Sequence, residues 1–178
     1  MVHEIDRSDF ETTKITEPKL SWRENFAAFI VLLIGLVFLA LQVLNMISSK
    51  GNDYSVKQNT VSINKSELFH DIRFYLTAFL GVFGSLLMFR KKTTGWVIGI
   101  SFLIFFALIA IWGVITAASM QLFDLSFYAA AGGLFILTLS IIFLLLPSAR
   151  KKYRVGKRTF LPTLVFLMAI AALFLFLQ

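Results

Sequence analysis

The stretch Pro147-Ser148-Ala149-Arg150-Lys151-Lys152-Tyr153-Arg154-Val155-Gly156-Lys157-Arg158 places six cations between two long apolar runs. Short loops rich in Lys and Arg stay on the cytoplasmic face of a membrane, so Arg150, Lys151, Lys152, Arg154, Lys157 and Arg158 act as a topological anchor. Pro147 stops the helix before it, since proline lacks the N–H that a continuing helix needs. Read outward from this anchor, the chain is an all-α polytopic membrane protein. It has five transmembrane helices, with the amino terminus inside and the carboxyl terminus outside.

On either side of the anchor lie spans over about 127–146 and 160–178, the latter tolerating Pro162 in its first turn. The connection before the fourth span, Ser119 to Ser126, holds Asp124 and no Lys or Arg, which marks the opposite face. Span three, about 95–118, is uncharged and follows the basic turn Arg90-Lys91-Lys92, so spans two and three form an antiparallel hairpin. Span two covers about 70–90 within a helix that begins near Lys65. Its apolar run, Phe74 to Phe89, reaches only about 24 Å of a ~30 Å hydrocarbon core, and Arg73 and Arg90 snorkel from its ends.

Span one covers about 25–47 and opens at Ser21-Trp22-Arg23-Glu24, which fits a capping box with Trp22 at the interface. It is too long for a cleaved signal peptide. Residues 1–24 then form a polar amino-terminal tail, and residues 25–178 a single helical membrane domain. Between Ser48 and His70, Tyr54, Val56, Val61 and Ile63 alternate with polar residues around Gln58-Asn59, predicting a small hairpin outside the membrane.

Charge counting supports this orientation but also fits a rival. With five spans, thirteen Lys and Arg lie inside and four, Lys50, Lys57, Lys65 and Arg73, lie outside. If span two stayed out of the membrane and the tail lay outside, the count would again be thirteen to four. The rival differs only in where the tail and the 48–70 loop lie.

Composition agrees with lipid as the main solvent: 58% of residues are hydrophobic, 15% are charged and the mean hydropathy is +0.81. The net charge of +7 does not point to nucleic acid, because the bases cluster beside apolar runs where topology accounts for them. The absence of cysteine removes disulfides, thiolate nucleophiles and zinc–thiolate or iron–sulfur sites. No motif for a cofactor or metal is present.

The candidate functional residues fall into three groups. The first comprises small and polar residues at helical spacing: Ala28, Gly35, Gln42 and Asn45 on the first helix, Thr77, Gly81, Gly84 and Ser85 on the second, Gly99 on the third and Gly133 on the fourth. Small residues four apart let backbones approach, and amides are costly against lipid, so this set reads as helix packing with both amides pointing inward. Gly95, Gly113, Ala117 and Ala129 extend the same pattern. The second group, Glu67, His70, Asp71 and Arg73, is titratable and sits at the outer mouth of helix two, where a pH-sensitive gate competes with plain interfacial anchoring. The third group is the basic anchor itself, which meets anionic lipid headgroups, with Tyr153 as an interfacial side chain among the cations.

These residues predict a non-catalytic accessory or assembly subunit in a bacterial-type cytoplasmic membrane, packed against other membrane subunits or against itself. The alternative is a channel or transporter for an uncharged solute, lined by Gln42, Asn45, Thr77, Ser85, Thr138 and Ser140. A membrane-embedded enzyme has acid–base groups only at the mouth of helix two.

Overall fold

The computed structural model describes residues 21–50, 65–120 and 125–176, all of them helix or short connection. Five long helices follow in order: α1 (Trp22–Lys50), α2 (Lys65–Phe89), α3 (Thr93–Ser119), α4 (Leu125–Leu145) and, after a six-residue helix α5 (Pro147–Lys152) and a 3-10 turn (Lys157–Thr159), α6 (Phe160–Phe176). Each of the five carries a stretch long and apolar enough to cross a membrane. The protein is a multi-pass integral membrane protein. Helices are the expected solution, since a lipid-exposed backbone must satisfy its own hydrogen bonds. The hairpin predicted around Gln58-Asn59 lies outside the described residues.

Boundaries match the sequence within a few residues, with one difference of kind. Leu146 takes an extended conformation (φ −56°, ψ 142°) and Pro147 then begins a new helical turn, so the anchor is not a plain loop. Proline suits that first position because its missing N–H would have no intrahelical partner there.

α3 is the central helix and packs against α1, α2, α4 and α6. Its buried face, including Trp96, Ile100, Phe102 and Leu103, meets Ala27, Ala28 and Val31 of α1, Met88 of α2, and Leu137 and Leu144 of α4. α6 lies at the edge and packs chiefly on α3.

α1 and α2 run antiparallel in close contact. A Cβ built on Gly81 would fall 2.6 Å from Gly35 Cα, and one on Gly35 would fall 2.8 Å from Val82 N. The two backbones therefore touch where both residues lack a side chain. Farther along the pair Phe38 tilts against Phe74, ring centroids 5.4 Å apart. Helix two thus lies alongside helix one within the bundle. The start of α1, the turn 90–92 and the segment 147–159 gather at one end, hereafter the basic end, as Lys152 bonded to Glu24 and Tyr153 bonded to Met88 demonstrate. The four-span rival is incompatible with this, because it places the start of α1 at the opposite end from the close of α4.

Candidate functional site

Helix ends leave their last carbonyls without intrahelical partners, and in apolar surroundings each such group is costly. At the basic end two helix-end carbonyls accept from buried side chains elsewhere in the chain, and one of them, Met88 O, also accepts from Lys91 N at 2.9 Å. The Trp96 indole Nε1 donates to Leu144 O at the close of α4 (3.1 Å), and the Tyr153 hydroxyl donates to Met88 O at the close of α2 (3.2 Å). Thr93 Oγ1 in turn donates to Tyr153 O at 2.8 Å, tying the α2–α3 turn to the segment after α5. Trp96 and Tyr153 are fully buried. Tyr153 is therefore a core residue, correcting its sequence reading as an interfacial anchor. Burial raises its phenol pKa far above the ordinary value, with the Glu24 carboxylate adding to the shift, so the hydroxyl stays protonated and keeps donating.

α2 and α5 end alike. Lys91 and Arg154 each adopt φ 54°, and the next residues donate back five positions, Lys92 N to Leu87 O (3.0 Å) and Val155 N to Arg150 O (2.8 Å). This is the Schellman geometry, which glycine usually supplies. Here cationic residues hold the left-handed position, beside the negative end of each helix dipole.

Glu24 completes the basic end. The capping contact expected of it is present, Ser21 N donating to Glu24 Oε2. The same oxygen accepts from Lys152 Nζ at 2.8 Å, and Glu24 is only 1% exposed. This ion pair fastens α1 to the anchor across 128 positions of sequence. Of the six anchor cations, Lys152 is taken up by the bundle and Arg150 is half-buried, while Lys151, Arg154, Lys157 and Arg158 remain exposed.

The packing candidates divide. Ala28, Gly35, Gln42, Thr77, Gly81, Gly84, Ser85 and Gly99 are buried. Gly84 faces Ile98 and Gly99 faces Met88, so α2 and α3 interlock through both. Asn45 is exposed, contrary to its expected inward position. Ala28, Gly35 and Gln42 recur every seven residues and stay on one stripe, whereas Asn45 lies about 60° round the helix from Gln42. Gly133 and Gly113 also depart from the packing expectation, because among the described residues nothing lies within 4 Å of a Cβ on either. α4 instead turns Leu137, Ser140 and Leu144 inward.

The outer-mouth group is only partly visible: the side chains of Glu67, His70 and Asp71 lie outside the described ones. Arg73 borders a cavity of about 160 Å³ with Phe38, Phe74, Thr77 and Phe174. Of the residues that would line a solute path, Gln42 is buried on α1. Thr77, Ser85 and Ser140 donate to carbonyls of their own helices, and Asn45 and Thr138 are exposed on α1 and α4. No cluster of metal-ligating side chains occurs among the described residues.

Sequence reasoning missed the residues that join distant parts of the chain: Thr93, Trp96, Tyr153, Lys152 with Glu24, and Ser101, whose hydroxyl donates to Thr163 O on α6 at 3.0 Å. The available signal was an aromatic hydroxyl in a run of bases and an indole one turn into a helix. Both carry a donor that must find a partner once buried. Comparison with protein-family models, with curated proteins and with solved structures finds no match to this chain.

Proposed function

We propose that the chain is a non-catalytic subunit that packs in the membrane against other membrane subunits or a second copy of itself. It sits in a bacterial-type cytoplasmic membrane with the basic end in the cytoplasm. The observation that carries this reading is the face of α4 holding Ala129, Gly132 and Gly133. Small residues in a membrane helix permit close approach of another backbone, yet among the described residues nothing lies within 4 Å of a Cβ built on Gly132 or Gly133. Where the same residue type is used internally, at Gly35 and Gly81, the backbones touch. α4 and α6 are also the least covered spans, 17% and 11% buried against 39% for α3.

The test is Gly133→Leu. The isolated protein should keep its thermal stability in detergent, within about 0.5 kcal/mol, because a Cβ at this position meets no described atom within 4 Å and leucine favours helix over glycine. Copurifying membrane proteins, or the self-associated form, should be lost. Retention of every partner by this variant would remove the basis of the proposal.

The orientation rests on the positive-inside rule applied to the basic end. Reporter tags placed after Lys92 and after Arg154 should both report cytoplasm, and a tag at Met120 the opposite face. Tags after Lys92 and Arg154 on the outer face would reverse the assignment.

A further inference from the structure

We propose that the groove between α3 and α6 at the basic end is a binding site for one anionic phospholipid. It holds a volume of about 490 Å³, within the usual range for small-ligand sites of about 300–1,000 Å³. Its lower part is hydrocarbon: Val97 and Ile98 from α3, Pro162 and Phe166 from α6. Its mouth is polar and cationic, lined by Thr94, Thr159 and Arg158.

Charge complementarity selects the occupant. Glu24 is the only carboxylate among the described side chains, and Lys152 and Ser21 N already engage it. Arg158 is exposed at the groove, with Arg154 and Lys157 also exposed on the same segment. Thr159 Oγ1 accepts from Gly156 N at 3.2 Å, which leaves its own proton to donate. A ligand that fits must carry an anion at the level of Arg158 and an alkyl chain running down between α3 and α6. A phosphodiester headgroup with its acyl chain meets both requirements, and guanidinium binds phosphate oxygens in a matched geometry. This goes beyond the general attraction of a basic surface to anionic lipid, which would be shared by every exposed cation at this end.

The experiment uses the full chain purified in a neutral detergent, with phosphatidylglycerol and phosphatidylcholine as probes, read by native mass spectrometry. One retained phosphatidylglycerol per chain is expected, in preference to phosphatidylcholine. Arg158→Gln should weaken retention about tenfold, on the order of one charge-assisted contact. Lys151→Gln removes the same charge from the same end but from outside the groove, and should change retention less than about twofold. Thr94→Asp places an anion at the mouth in the first turn of α3, where acidic residues favour the helix, and should also weaken retention about tenfold. If Arg158→Gln does not fold, Thr94→Asp against Lys151→Gln decides alone. Equal losses for the groove and control variants, equal retention of both lipids, or displacement of the lipid by millimolar inorganic phosphate would each overturn the site.

Discussion

Gly35→Leu should cost the bundle about 3 kcal/mol or more, whereas Leu36→Ala on the next residue should change stability by about 0.5 kcal/mol or less. The first substitution drives a side chain into backbone: the Cβ alone would stand 2.8 Å from Val82 N and 3.0 Å from Gly81 Cα. Backbone cannot rotate aside as a side-chain tip can, so α1 and α2 must separate and lose their shared contact. In lipid no hydrophobic effect offsets that loss, since the separated faces are as well solvated by acyl chains as by each other. Leu36 is 46% exposed and gives up mainly contact with lipid. Thermal unfolding of both variants in one detergent decides the matter, and equal midpoints would mean that the Gly35–Gly81 contact does not hold the helices together.

Removal of Lys152 is the second large effect. Lys152→Ala leaves the Glu24 carboxylate, 1% exposed, without its cation, and breaking one side of a buried pair costs about 3–5 kcal/mol. Lys152 is itself 19% exposed, which places the expected loss near the lower figure, about 3 kcal/mol. Lys151→Ala, one residue away and exposed, should stay within about 0.5 kcal/mol of the parent. The double variant Glu24→Gln with Lys152→Met should recover most of the loss, because it removes both charges together and keeps a side-chain oxygen for Ser21 N. Unfolding midpoints for the four proteins form the test. A Lys152→Ala protein as stable as Lys151→Ala would show that the pair contributes nothing across the α1–anchor contact.

Hydropathy along the chain was sufficient for the number and order of the five spans and for the ends of the five long helices to within a few residues. That information is local: a run of apolar residues must become helix in lipid whatever lies beside it, because no other open backbone form satisfies its own hydrogen bonds there. The same local logic picked out Gly35, Gln42 and Gly81 as packing residues. It could not separate them from Gly133 or Asn45, which have matching chemistry and comparable spacing but face outward. Nor could it distinguish Lys152 from Lys151, or place Tyr153 in the core, since these roles depend on residues far away in sequence: Glu24, Met88 and Thr93. Periodicity defines a stripe on a helix but not the rotation of that helix about its axis within the bundle. That rotation is set by which small residues let two backbones meet and by which buried donors find an open carbonyl, as Trp96 finds Leu144 O. Only the tertiary structure decides it.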